Sequence, residues 1–139
     1  MPEQLNGTYL VEMMKILFVD DMPDTRNVFK LAFNLRGHQT RLAVNGVEAV
    51  DAVREEPFDA IVMDVEMPQL NGWDAVRQIR TLPNGDQVPI IMFTAYGNSD
   101  DLNRAKDAGA DDLMQKPLLP QELLTRINAL VAERGSAHA

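Results

Sequence analysis

Apolar and polar residues divide the chain into five short apolar runs, each followed by a longer segment with apolar residues at helical spacing. The runs are rich in residues that favour β-strands, and they predict strands over 15–20, 38–44, 59–64, 88–94 and 111–116. The intervening segments predict helices over 23–37, 45–56, 72–82, 99–109 and 120–135. Because the apolar runs do not alternate strictly, we expect strands covered on both faces. The pattern therefore predicts an α/β fold, a doubly wound (βα)5 sandwich with a five-stranded parallel sheet.

Apolar spacing within the predicted helices indicates which sides face the core. The first helix begins with Pro and Asp, ends on a Gly, and carries its apolar residues at Val28, Leu31, Ala32 and Leu35. The second places Val47, Val50 and Val53 on one face. The last directs five apolar side chains inward: Leu123, Leu124, Ile127, Leu130 and Val131.

One domain accounts for nearly the whole chain. At 139 residues the sequence is long enough for a sizeable core but short for two ordinary domains. We expect a flexible N-terminal extension over 1–14, the domain over 15–134 and a C-terminal tail over 135–139. On this division, no appended output domain follows the last helix.

Composition narrows the classes of function. The net charge of −8 argues against a surface that binds nucleic acid or anionic membranes in general, because an acidic protein does not neutralise rows of phosphates. The chain has no cysteines, which fits a reducing compartment and removes thiolate chemistry. No apolar run approaches the roughly 20 residues of a membrane span, and the first residues lack a secretory signal pattern. These features predict a soluble cytoplasmic protein.

Residues that carry chemistry stand where four of the predicted strands end. Asp20 and Asp21 end the first, Asp64 the third, Thr94 the fourth and Lys116 the fifth. Ligands of doubly wound sheets bind outside these carboxyl ends. Taken singly, the acids could cap a helix or form an Asx turn, and the hydroxyl and ammonium could be ordinary surface groups. Their coincidence at one edge of the sheet favours a functional site.

Clustered carboxylates repel each other unless a cation or a proton lies among them. Oxygen ligands without nearby His or Cys favour Mg²⁺, or Mn²⁺, over zinc. Since Mg²⁺ commonly binds phosphate oxygens together with one or two carboxylates, the site is suited to a phosphoryl group. Asp64 is then a candidate nucleophile that forms an aspartyl phosphate, with Lys116 and Thr94 stabilising the transferring oxygens.

The sequence closely resembles the receiver domain of two-component response regulators, in particular stand-alone receivers of the chemotaxis type. The resemblance covers residues 15 to about 134 and is carried by motifs in matching order and spacing: "ILFVDD", "DAIVMDVEMPQLNGWDAVRQIR", "VPIIMFTA" and "AKDAGADDLMQKP". It implies a flavodoxin-like fold and Mg²⁺-dependent phosphorylation by a histidine kinase or histidine phosphotransfer protein. It also implies a switch that acts through protein contacts rather than an enzyme with turnover.

The resemblance further implies a role for each matching residue. Asp64 would be the phosphoacceptor. Mg²⁺ would be held by Asp21, the Asp64 side chain and the Glu66 backbone carbonyl, with Asp20 assisting through water. The phosphoryl oxygens would be contacted by the segment Thr94-Ala95 and by Lys116, whose bond to Pro117 would be cis. The downstream protein target would bind the face made by the fourth helix, fifth strand and fifth helix, on a monomer or a phosphorylation-linked dimer.

Three positions depart from the family pattern or vary within it. Receivers usually carry Tyr or Phe three residues before the lysine, where this chain has Leu113, so it lacks the usual aromatic residue of the output switch. Glu66 and Tyr96 occupy positions that tune dephosphorylation: Tyr96 could obstruct the attacking water, and Glu66 could position or repel it. His38 is expected at the surface.

Other functions compete with this interpretation. A receiver module of a hybrid histidine kinase, or a phosphorelay intermediate, would carry the same residues. A phosphohydrolase of the haloacid-dehalogenase type also uses a strand-end Asp, but it needs a second Asp two residues later, where Asp20 is followed by Met22 and Asp64 by Glu66. A docking-only relative would be expected to lack an acid or the lysine.

Overall fold

The computed structural model describes residues 4–5, 8–9, 13–67 and 69–138, with side chains from 13 to 134 in that range. The main sheet has five strands, numbered here in chain order: β1 Lys15–Val19, β2 Gln39–Ala43, β3 Ala60–Asp64, β4 Ile90–Thr94 and β5 Asp112–Gln115. Each is followed by a helix: α1 Pro23–Leu35, α2 Gly46–Glu55, α3 Gly72–Arg80, α4 Ser99–Ala108 and α5 Pro120–His138. A separate antiparallel pair joins Gln4–Leu5 to Thr8–Tyr9.

The sheet is entirely parallel, with strand order β2-β1-β3-β4-β5. The predicted α/β fold class is therefore confirmed. The chain moves from β1 outward to β2 and then crosses back to β3 on the other side of β1. This reversal leaves the carboxyl ends of β1 and β3 side by side, at the position where doubly wound sheets bind ligands.

Two apolar clusters lie on opposite faces of the sheet. One packs α2, α3 and α4 against side chains such as Leu17, Ile61 and Met92. The other packs α1 and α5 against Phe18 and Val62. The strands β1, β3 and β4 are buried on both faces apart from Lys15, which explains why their sequences do not alternate.

The buried face of α1 differs from the predicted one. Phe29 and Phe33 face the core, whereas Val28, Leu31 and Leu35 are 56%, 61% and 76% exposed. The aromatic rings decide the orientation, because Phe29 stacks on Phe18 with ring centroids 4.6 Å apart and Phe33 meets the same Phe18 ring edge-on. Burial of two large rings outweighs burial of three smaller side chains.

The other helices follow their predicted faces more closely. In α2, Val50 and Val53 are buried, while Val47 is half exposed. The predicted inward residues of α5 lie in or against the core. The helix continues to His138, past residue 135 where the sequence pattern placed its end. Among the described residues, no helix combines the length and the apolar character needed to cross a bilayer.

His38 is buried, so its predicted surface position is wrong. It is only 6% exposed, and its Nδ1 accepts a hydrogen bond of 3.1 Å from the backbone N–H of Met14. Burial, with a smaller contribution from the charge of Arg36, lowers the pKa of His38. Met14 is buried as well, although it lies within the expected extension over 1–14, most of which falls outside the described residues.

Candidate functional site

Three carboxylates meet at the carboxyl edge of the sheet. Asp20 follows β1 and Asp64 ends β3, and the register pairs Val19 with Met63, so the two acids follow in adjacent rows. One oxygen from each of Asp20, Asp21 and Asp64 lies within 4.8 Å of the others. Asp20 and Asp64 are each only 1% exposed, whereas Asp21 faces solvent. The sheet thus brings the predicted acids together.

Among the described residues, the Asp20 carboxylate has a hydrogen-bond partner for one of its two oxygens. Its Oδ1 accepts a hydrogen bond of 2.8 Å from the backbone N–H of Met22, which fixes the side chain in the turn before α1. Its Oδ2 is buried and has no hydrogen-bond partner among the described residues. An orphaned buried carboxylate oxygen is unfavourable unless a cation or a proton approaches it.

Burial and mutual repulsion disfavour the charged forms of these acids. Burial raises the pKa of Asp64 to about 7, the nearby Asp20 charge adds to the rise, and Lys116 opposes it. Burial also raises the pKa of Asp20. A divalent cation between the carboxylates would reverse both effects, and an all-oxygen donor set of this kind fits Mg²⁺.

Lys116 directly follows β5, which lies two strands away from β3, and its side chain reaches the site. Its Nζ lies 3.3 Å from Asp64 Oδ1 and 5.1 Å from the centroid of the Phe93 ring. Its backbone N–H donates a hydrogen bond of 2.7 Å to the carbonyl of Thr94, and its peptide bond to Pro117 is cis. The ammonium is therefore directed at the one carboxylate that ends a strand.

Glu66 contributes contacts that the sequence did not predict. Its backbone N–H donates to Asp64 Oδ1 at 3.2 Å, as expected of a residue in the turn after β3. Its carboxylate accepts hydrogen bonds from the Thr94 hydroxyl at 2.8 Å and from the Ala95 N–H at 3.0 Å. The sequence placed only the Glu66 carbonyl at the metal and its side chain near the attacking water. No local pattern connects residue 66 to residues 94 and 95.

The other two of these three positions contact Thr94 and the core. Tyr96 is 70% exposed, and its backbone N–H donates to Thr94 Oγ1 at 3.1 Å. Leu113 is partly buried in β5, paired in register with Met92, and packs against the cluster formed with α2, α3 and α4. Leu113 therefore couples to the core behind the site rather than to the acids.

A glycine and a groove complete the surroundings. A Cβ on Gly72 would lie 2.3 Å from the carbonyl oxygen of Asp64, so α3 can begin this close to the acid only with glycine there. A groove of about 400 Å³ opens on the other side of Lys116, between α1 and the segment that follows β5.

Comparison with known proteins assigns this arrangement to a family. Residues 16–128 match the model of the response regulator receiver domain. The chain belongs to this family. The receiver resembles Response regulator MprA of Mycobacterium avium, with 40% identity over 118 residues that cover 85% of this chain and 51% of that protein. MprA of Mycobacterium leprae is 41% identical over the same length. The receiver spans about half the length of these curated relatives.

Solved structures agree on the fold. The chemotaxis protein CheY4 of Vibrio cholerae superposes with a TM-score of 0.82 at 28% identity, covering 86% of this chain and 99% of that one. The receiver domain of the sensor histidine kinase PA1611 from Pseudomonas aeruginosa has a TM-score of 0.79 at 32% identity, covering 87% and 99%. That structure holds a magnesium ion in its active site cleft.

Proposed function

We propose that this receiver accepts a phosphoryl group on Asp64 from the phosphohistidine of a histidine kinase or a histidine phosphotransfer protein. The observation that carries the proposal is a buried strand-end carboxylate beside Asp20, with the Lys116 ammonium 3.3 Å away. The family match and the similarity to other receivers support the same function.

In the proposed step, an oxygen of Asp64 attacks phosphorus and the bond to the donor's imidazole nitrogen breaks, which leaves an aspartyl phosphate and a neutral histidine after protonation. Lys116, already beside Asp64, would neutralise one phosphoryl oxygen. The Thr94 hydroxyl and the Ala95 N–H lie on the neighbouring strand end and would donate to the other oxygens. The burial of Asp64 keeps water from competing at the same atom.

We propose Mg²⁺, or Mn²⁺, as the cofactor. Asp21, Asp64 and the Glu66 carbonyl would hold it, and Asp20 would assist through water, consistent with its orphaned Oδ2. When bound, the cation supplies positive charge that offsets the charge on the transferring oxygens. The magnesium reported in the cleft of the PA1611 receiver supports this assignment.

The output is proposed to be a change in protein contacts at the face of α4, β5 and α5. The hydrogen bond from the Lys116 N–H to the Thr94 carbonyl joins the ends of β4 and β5, so a shift of Thr94 reaches β5 directly. Leu113, on β5, would respond by repacking rather than by swinging an aromatic ring.

We propose a cytoplasmic location, no direct binding to nucleic acid or membrane, and either a monomer or a phosphorylation-linked dimer.

The alternative role, as a module of a hybrid kinase or a phosphorelay intermediate, is supported by the likeness to the receiver of sensor kinase PA1611. The two roles differ in where the phosphoryl group goes. A relay intermediate passes it from Asp64 to the histidine of a phosphotransfer protein, whereas a terminal regulator keeps it until hydrolysis. Incubating the phosphorylated receiver with a histidine phosphotransfer domain and following label on both proteins separates them.

Intact mass after incubation with acetyl phosphate tests the proposed function. We expect a gain of one phosphoryl group in the presence of Mg²⁺, no gain with EDTA, and no gain in Asp64→Ala. Asp59→Asn is a matched control, because Asp59 lies just before the other end of β3 and binds the Lys15 N–H instead of the site. A phosphoryl group on Asp64→Ala would refute the assignment of the acceptor.

A further inference from the structure

The side chain of Glu66 occupies donors that the proposed function assigns to the phosphoryl group. Both of its carboxylate oxygens are used: Oε2 accepts from the Thr94 hydroxyl at 2.8 Å and Oε1 accepts from the Ala95 N–H at 3.0 Å. Thr94 is only 3% exposed, so its hydroxyl has few alternative partners. A planar anion therefore already occupies two of the donors that a phosphoryl group on Asp64 would need.

We propose that Glu66 is an internal latch, a carboxylate that holds Thr94 and Ala95 in the unphosphorylated conformation and must leave before they can bind a phosphoryl group. This inference rests on the proposed function of Asp64. It assigns Glu66 a role in setting how readily the receiver activates, distinct from any effect of its side chain on the attacking water.

The contact is built to be reversible. Glu66 is exposed, so its carboxylate can turn into solvent without a desolvation penalty. A phosphoryl group carries more negative charge than a carboxylate and offers three strong acceptor oxygens. It therefore competes successfully for the same donors, but only after the hydrogen bonds to Glu66 have broken.

The latch also fixes the position of Thr94. Its Oγ1 donates to Glu66 and accepts from the Tyr96 N–H at 3.1 Å, so both functions of the hydroxyl are used. A movement of Thr94 towards Asp64 breaks both bonds together. The amide groups of Ala95 and Tyr96 are thus direct reporters of whether the latch is closed.

Binding of trifluoroberyllate tests the latch without covalent turnover. Its beryllium becomes tetrahedral when a carboxylate oxygen coordinates it, and the adduct then mimics a phosphoryl group on that oxygen. We would titrate it, with Mg²⁺ present, into the wild type, Glu66→Ala and Glu66→Asp while recording NMR spectra of the backbone amides. Removing two competing hydrogen bonds predicts binding about three- to tenfold tighter in Glu66→Ala, with shifted Ala95 and Tyr96 amide signals before any ligand is added.

Glu66→Asp separates the latch from simple charge repulsion. It keeps the negative charge but is shorter by one carbon–carbon bond, about 1.5 Å, so it cannot reach both donors. The latch predicts that Glu66→Asp binds trifluoroberyllate more tightly than the wild type, as Glu66→Ala does. If Glu66→Asp matches the wild type and only Glu66→Ala binds more tightly, repulsion explains the effect and the latch is wrong.

Two further outcomes assign failure to one proposal or the other. Equal trifluoroberyllate affinity in all three proteins, or unmoved Ala95 and Tyr96 signals in Glu66→Ala, overturns the latch alone. Absence of trifluoroberyllate binding in every protein overturns the proposed function of Asp64, and the latch with it.

Discussion

The two edges of the sheet differ in how their charged side chains are partnered. At the amino edge, Arg80, Asp111 and Arg134 form a network in which the charges are paired. At the carboxyl edge, Asp20 and Asp64 lie buried side by side, and within the described part of the chain the two acids share a single nearby cation, Lys116, 3.3 Å from Asp64. Both clusters join segments that are far apart in sequence. The cluster at the amino edge stabilises the fold, whereas the cluster at the carboxyl edge is under electrostatic strain.

At the amino edge, hydrogen bonds surround the Arg80 guanidinium. It donates to the carbonyls of Gly109 at 2.8 Å and Val88 at 2.6 Å, and its side chain is 17% exposed. Asp111 Oδ2 accepts from Arg80 and from the N–H of Ile90 at the start of β4. Arg134 of α5 pairs with Asp111 Oδ1. Nearly every polar atom has a partner, as in a structural ion-pair network.

The carboxyl edge lacks that matching. Asp20 Oδ2 has no partner within the described part of the chain, and burial raises the pKa of Asp64 to about 7. Buried groups with shifted pKa values and unmet hydrogen bonds concentrate at functional sites. The difference between the edges therefore separates the candidate functional site from a network whose charges are already paired.

The largest effect is expected at the amino edge. Asp111→Ala leaves two guanidinium groups without their shared carboxylate. We expect a loss of about 2–3 kcal/mol in the free energy of unfolding, below the roughly 3–5 kcal/mol of a fully buried pair because these side chains remain partly exposed. Urea denaturation measures it. Asp112→Ala is the matched control, because Asp112 pairs with the more exposed Arg126; its loss should stay near ~1 kcal/mol or below. Equal losses in the two variants would contradict the structural role assigned to the network around Asp111.

At the carboxyl edge, removing an acid should raise the free energy of unfolding instead of lowering it. Asp20→Asn keeps the acceptor for the Met22 N–H and replaces the orphaned oxygen with a donor that can face Asp64. Without Mg²⁺ we expect a gain of about 1–2 kcal/mol in stability, since a buried unpartnered polar atom costs about 1–3 kcal/mol. Thermal unfolding in EDTA measures it, and a destabilised variant would contradict the strain assigned to this edge.

Added Mg²⁺ should stabilise the wild type through the carboxyl edge alone. At about ten times its dissociation constant, a ligand specific for the folded state stabilises it by about 1.4 kcal/mol. We expect this gain in the melting curve of the wild type and of Asp51→Asn, an exposed acid on α2, but a reduced gain in Asp20→Asn. The same gain in all three would place the cation elsewhere.

The smallest effect concerns His38, a buried polar group at the amino edge. Its pKa is lowered by burial and by Arg36, so the unfolded chain binds the proton more readily. The stability that neutral His38 contributes is present above its unfolded pKa of about 6.5 and is lost as pH falls through the folded pKa. Protonated Nδ1 can no longer accept from the Met14 N–H, and we expect a loss of about 0.5–1 kcal/mol.

A difference measurement isolates the His38 contribution. Asp64, whose pKa is raised, acts in the opposite direction, because its protonation at lower pH favours the folded state. Subtracting the pH dependence of His38→Gln from that of the wild type cancels the Asp64 contribution. A wild type that loses no more stability than His38→Gln between pH 7.5 and 5 would contradict the prediction.

Local pattern determined the fold class and which residues stand at the strand ends. Strands buried on both faces require continuous apolar runs, and a parallel sheet places all of their carboxyl ends on one edge. The sequence alone therefore places Asp20, Asp64, Thr94 and Lys116 at one candidate site. The matching motifs supplied the family, which the comparison with known proteins then established.

Contacts between distant segments were decided only by the tertiary structure. The sequence could not show that α1 turns Phe29 and Phe33 inward, because that depends on the Phe18 ring across the interface. It could not show that His38 is buried, or that the Glu66 carboxylate accepts a hydrogen bond from the hydroxyl of Thr94, 28 residues away. Periodicity fixes which residues share a face, but the partner that covers a face or accepts a hydrogen bond is set by packing of the whole chain.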